Sequence, residues 1–149
     1  FANSYNLKLF FHINASRFEN LGESILKNLR NIFQDIDHVL VEHDWGNHED
    51  FIKIVKGMDI GLQVSYTETF NIVAADFVAN HVPLVGSNEI GWLSRFYKAD
   101  PSNTNDIVNK LTFAYLTRKF NIHKLNEIGL DKHNEHAIEA WIDLLKKKR

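Results

Sequence analysis

Residues 60–85, IGLQVSYTETFNIVAADFVANHVPLV, hold the pattern that decides the fold. Ile60, Leu62 and Val64 alternate with Gly61 and Gln63, the two-residue period of a strand. The polar run Ser65-Tyr-Thr-Glu-Thr69 breaks that period. Residues 70–80 are then dense in Ala and Val and read as a helix, and Pro83-Leu-Val85 is an apolar run short enough for a strand buried on both faces. Strand, polar corner, helix, strand is the order of a crossover unit. Its two strands run parallel because the helix carries the chain back to the edge from which the first strand started.

The same alternation extends in both directions. Upstream, residues 7–13 (LKLFFHI) place apolar or aromatic side chains on both faces of a strand, as a sheet covered on both sides requires. Such a strand belongs inside a sheet, and pairing of 7–13 with 60–64 is one way to satisfy it; self-association of two chains is the other. From Glu23, the residues Ile25, Leu26, Leu29, Ile32 and Phe33 recur at helical spacing. Residues 38–43 (HVLVEH) return to a strand, and residues 49–58 to a helix with Phe51, Ile52, Val55 and Met58 facing inward. Downstream, residues 96–99 offer a fifth short strand. Ile107, Val108, Leu111, Ala114 and Tyr115 mark a helix over 106–118, with Ser102, Thr104 and Asn105 as capping candidates; Ile138, Trp141, Ile142 and Leu145 mark another over 134–147. The expected fold class is therefore α/β: a Rossmann-like, mostly parallel sheet flanked by helices, with extra C-terminal helices. With two prolines and no repeat or low-complexity tract, residues 1–149 are expected to form a single domain.

Composition narrows the function classes. Of 149 residues 44% are hydrophobic and 24% charged, which is ordinary for a globular domain. A formal net charge of -2 gives no electrostatic case for nucleic acid, and the basic tail Lys146-Lys-Lys-Arg149 suits the carbonyl end of a helix. No cysteine is present, so disulfides, thiolate metal sites and cysteine nucleophiles are excluded. No apolar run approaches the roughly 20 residues of a membrane helix, and the start FANSYNLKLF lacks the basic-then-apolar order of a signal peptide, so a cytosolic (cytoplasmic) location is expected. His38, His43 and His48 recur every five residues, which matches no metal spacing on a helix. Ser65 lacks the Gly-x-Ser-x-Gly elbow of a serine nucleophile.

In open parallel sheets ligands sit beyond the carboxyl ends of the strands, where loops converge and helix N-termini present their amides. Three polar corners fall there: residues 12–17, 42–46 and 65–71. The segment from Met58 to Trp92, MDIGLQVSYTETFNIVAADFVANHVPLVGSNEIGW, is similar to the signature of the nucleotide-sugar-binding C-terminal domain of GT-B glycosyltransferases, in the large retaining family that includes glycogen synthase. In that family a strand ends in Pro-Ser or a like pair. Glu-x-Phe-Gly follows, then a helix with a second Glu eight residues on, and a strand opening with Pro-Val. Glu68, Phe70, Asn71, Asp76, Pro83 and Val85 stand in those places, with Asn71 for the usual Gly and Asp76 for the second Glu. The close match covers about a quarter of the chain. The family's first βα unit, whose Gly-Arg and Lys-Gly residues grip the diphosphate, has no counterpart here, and neither has the N-terminal acceptor domain. The resemblance thus implies a fragment of a larger hexosyltransferase, inactive by itself.

The resemblance also implies roles. Glu68 is the catalytic candidate, accepting hydrogen bonds from donor-sugar hydroxyls, while the amides of Thr69, Phe70 and Asn71 face the diphosphate. Asp76 takes the ribose hydroxyls. His43, Asp44 and Trp45 border the nucleobase, and Arg17, the one cation of its loop, adds a phosphate contact. No cofactor and no tightly bound metal is implied, since basic side chains and helix amides handle the phosphate charge. Each role has a plainer rival: Phe70 as a core plug, Trp45 as a cap on the core edge, Asp76 in a structural salt bridge. A non-catalytic module that binds a nucleotide or a protein is the alternative function.

Overall fold

A computed structural model of the chain describes residues 1–16 and 22–147. The chain divides into two compact units, Phe1–Asp50 and Phe51–Arg149. Both are built from parallel strands and helices, a generic Rossmann-like α/β architecture.

The first unit holds β1 (Phe10–Asn14), α1 (Gly22–Gln34), β2 (Val39–His43) and the start of α2 (His48–Lys56), which runs across the division. β1 and β2 pair in parallel, Phe10 opposite Val39 and Asn14 opposite His43. Because side chains alternate, Phe11, Ile13, Leu40 and Glu42 share one face of this ribbon, and Phe10, His12, Val41 and His43 the other. Helix α1 lies on the first face. Phe33 stacks on Phe11 with ring centroids 5.9 Å apart, and Arg30 grips Glu42 through two hydrogen bonds of 2.6 and 2.5 Å. That ion pair holds the Glu42 carboxyl below its ordinary range, yet it is solvent-exposed and fixes orientation more than it adds stability. Leu26 is the buried residue of the helix, while Ile25 and Ile32 are 66% and 57% exposed, so the face turned to the sheet is rotated toward Leu26 and Phe33. β1 departs from the sequence reading. Its ladder partner is β2, and that of β3 is β4, so the 7–13 with 60–64 ladder, one of the two arrangements considered, is not formed; Phe10 is 57% exposed, against the expected cover on both faces.

The second unit contains β3 (Gly61–Gln63), α3 (Ile72–Ala79), β4 (Leu84–Ser87), β5 (Lys98–Ala99), α4 (Thr104–Thr117) and α5 (Lys124–Lys147). Its three strands are all parallel in the order β3-β4-β5, with β4 central and buried at every residue. Leu84, Val85, Ile90, Leu93 and Tyr97 form the core with Ala74 and Val78 of α3 and Ala114 of α4. α3 approaches β3 so closely that a Cβ at Gly61 would lie 2.5 Å from the Phe77 ring, which is why only glycine fits there. α3 stops at a left-handed residue, His81 (φ 61), whose amide donates to the Val78 carbonyl while that of Val82 donates to Phe77. Pro83 follows and cannot extend the helix.

α5 begins ten residues before the sequence reading placed it. The missed part includes Gly129, an unfavourable helix residue, and the buried Asn126. Both are explained by packing. A Cβ at Gly129 would collide with the Trp92 carbonyl, and Asn126 Oδ1 accepts from the Ser94 amide at 3.1 Å. Among the described residues no helix is long and apolar enough to cross a membrane.

Candidate functional site

The polar corner leaves the carboxyl end of β3 and enters α3. Ser65 Oγ donates to Glu68 Oε1 at 2.8 Å, which holds that carboxylate half-buried at the rim of the sheet. Thr69 is exposed. Phe70 is tied inward: its carbonyl accepts from the Trp92 indole at 2.8 Å, and its ring lies 6.0 Å from Trp92 and stacks on His133 at 5.4 Å. Asn71 is the N-cap, with φ 56 and ψ 86, and its Oδ1 accepts from the Ala74 amide at 2.8 Å. The helix itself starts at Ile72, so Thr69, Phe70 and Asn71 lead into it, and its first-turn amides are those of Ile72, Val73 and Ala74.

Asp76 sits one helical turn beyond Ile72 and is half-buried. Ile72 is 69% exposed, whereas Ala74 and Val78 face the core, so Asp76 lies on the flank of α3 that opens outward at the start of the helix. The corner thus brings together Glu68, the N-cap and the first turn of α3 at the carboxyl end of a parallel strand. Chemically it offers one carboxylate acceptor for hydroxyl groups and a helix N-terminus for an anion.

The remaining expected residues belong to the first unit. His12 Nδ1 and His43 Nε2 are 2.8 Å apart, with ring centroids at 5.1 Å, so His43 is engaged with another imidazole on its own face of the ribbon. Burial, reinforced by the neighbouring His43, pushes the His12 pKa below its ordinary value. Asn14 Oδ1 accepts from the Ser16 amide at 3.1 Å, and Ser16 Oγ in turn accepts from the Trp45 amide at 2.7 Å. These bonds fasten the two rim loops together. They leave Asp44 exposed and Trp45 61% exposed. Arg17 lies outside the described residues.

Sequence reasoning missed two contacts. Trp92 anchors the corner through Phe70, and its signal was position: an aromatic closing the strand-helix-strand segment. The His12–His43 contact had no signal in spacing, because 31 residues separate them and only the strand register aligns them. Three buried polar atoms have no hydrogen-bond partner among the described residues: Ser87 Oγ, His123 Nδ1 and Asn126 Nδ2. A shallow groove in the first unit is lined by Arg30, Phe33, His38 and Glu42, none of them an expected site residue. Among the described residues no group of three or more histidine or acidic side chains is placed to hold a metal ion. Comparison with family models, with curated proteins and with solved structures gives no match.

Proposed function

We propose that the β3–α3 corner binds the sugar and diphosphate end of a nucleotide-sugar, as the donor half of a retaining GT-B hexosyltransferase. One observation carries this reading: Glu68, held by Ser65, stands at the carboxyl end of a parallel strand three residues before the left-handed N-cap Asn71. A carboxylate so placed accepts hydrogen bonds from sugar hydroxyls, and the first-turn amides of Ile72 and Val73, which the Asn71 side chain does not take, suit the diphosphate. Asp76, on the outward flank of α3, takes the ribose hydroxyls. Transfer itself needs charge stabilisation at the leaving diphosphate, a task for which this corner holds no cation, so transfer belongs to a larger assembly that supplies it.

Saturation-transfer NMR with a panel of nucleoside diphosphates and their hexose conjugates tests the reading. Binding of at least one nucleotide-sugar is expected. Glu68→Gln should weaken the conjugate about tenfold and leave the parent diphosphate unchanged, since a charge-assisted bond is worth roughly 1.5–3 kcal/mol. Asp76→Asn should weaken both. Nucleotide binding that ignores Glu68→Gln points to a non-catalytic nucleotide module, and no binding across the panel overturns the proposal.

A further inference from the structure

The second half of α5 presents an apolar face that nothing in its own unit covers. Every residue from 131 to 147 is exposed. Ile138, Trp141 and Leu145 are 59%, 64% and 63% exposed, and Ile142 and Leu144 are 44% and 46% exposed. At about 100° per residue these five fall within roughly 160° of one another around the helix, a single stripe centred near Trp141. The first half of the same helix behaves differently. Asn126 and Leu130 are buried, and Gly129 fits against the Trp92 carbonyl.

The charges beside the stripe decide what covers it. On one flank stand Glu135 and Glu139 toward the start of the segment, and Lys146 at its end. Helices packed antiparallel about a two-fold axis bring like flanks together, so the acidic start of one segment meets the basic end of the other. Glu135 and Lys146 are equidistant from the midpoint between Ala140 and Trp141, which lies one residue, about 1.5 Å along the axis, from the middle of the apolar stripe between Trp141 and Ile142. A second copy laid antiparallel with its two-fold axis between Ala140 and Trp141 sets Glu135 beside Lys146 at both ends of the contact and keeps the stripe within it. A parallel copy offers no such exchange, because Lys146 would then lie level with the other Lys146 and Lys147.

Size agrees with orientation. Five such side chains at about half exposure present roughly 500 Å² of apolar surface, in the upper part of the range of the largest patch on a monomer, and two copies together bury about 1,000 Å², the lower bound of a specific interface. We infer that the stripe around Trp141 on α5 is a self-association surface, on which a second copy of this chain docks antiparallel. This does not depend on the donor-binding reading.

Sedimentation velocity of the full chain between about 1 and 100 µM, with circular dichroism to verify that each variant keeps its helix content, tests it. The chain should shift from monomer to dimer across that range. Trp141→Glu should abolish the dimer at every concentration. Glu135→Lys should weaken it about fivefold, and the double exchange Glu135→Lys with Lys146→Glu should restore it, which only the antiparallel arrangement allows. A chain monomeric at 100 µM overturns the inference, and if that monomer sediments with anionic phospholipid vesicles the face belongs to a lipid surface. A dimer insensitive to Trp141→Glu overturns it equally, and one that the double exchange fails to restore overturns the antiparallel docking.

Discussion

Asn71 carries two constraints at once. Its φ of 56 lies where a Cβ meets the neighbouring carbonyl, a region that glycine and asparagine tolerate, and its side chain also caps the amide of Ala74. Alanine there satisfies neither. Asn71→Ala should therefore destabilise the chain by about 2 kcal/mol, roughly half from the lost cap and half from the left-handed backbone. Asn71→Gly should cost no more than about 0.5 kcal/mol, because glycine removes the backbone penalty and is a tolerable N-cap. Urea denaturation of the two variants checks the difference; equal losses would refute the backbone half of the argument. The residue also shows what a sequence can and cannot say about this corner. The polar corner was legible because strand and helix periods flank it, whereas Glu68, Asn71 and Asp76 stood out within it only through the family resemblance. The Ser65 bond to Glu68 and the Trp92 bond to Phe70 were not legible, because they depend on how the loop turns in space.

At the scale of elements, periodicity located each helix and strand where one face is consistently buried, and misplaced boundaries where packing overrode propensity. The start of α5 is the clearest case. Gly129 argues against a helix on intrinsic grounds, and the helix forms through it because the absent side chain lets the backbone approach Trp92. The consequence is a reversal of the usual rule. Gly129→Ala raises helix propensity by about 1 kcal/mol, yet the added methyl group strikes a backbone carbonyl that cannot rotate away. The variant should lose about 1–3 kcal/mol, visible as a fall of several degrees in Tm, whereas Gly57→Ala, just after α2, meets only an ordinary contact and should change little. A stabilised Gly129→Ala chain would show that the helix–loop approach is loose. β1 illustrates the opposite failure: apolar residues on both faces suggested an interior strand, but a two-stranded ribbon with one helix against it leaves Phe10 exposed.

For the molecule as a whole, acid should be destabilising. His12 and His123 both have pKa values lowered by burial, with His43 adding to the effect at His12; at His123 Glu127 opposes it while His81 and Lys124 assist. The unfolded chain therefore binds protons more readily than the folded one below the ordinary histidine value near 6.5. Stability is fully present above that pH and is lost as the pH falls from it through the lowered folded values. Urea midpoints should drop between pH 7.5 and 5.5, and the double variant His12→Asn with His123→Asn should flatten the dependence; a midpoint that rises on acidification would contradict it. The α/β class was readable from the order of elements, but not the separation into two sheets, which is a matter of which strands find one another. That separation has a bearing on synthesis. Each described ladder joins strands that are neighbours in the chain: β1 with β2, β3 with β4, β4 with β5. Among the described residues no ladder waits for a distant segment, so loop closure is short and the entropic barrier to each pairing is small. A chain emerging from the ribosome can close its first ribbon as soon as β2 is clear of the exit tunnel, before β3 has emerged, and is thereby spared a long exposure of unpaired strand edges during its own production.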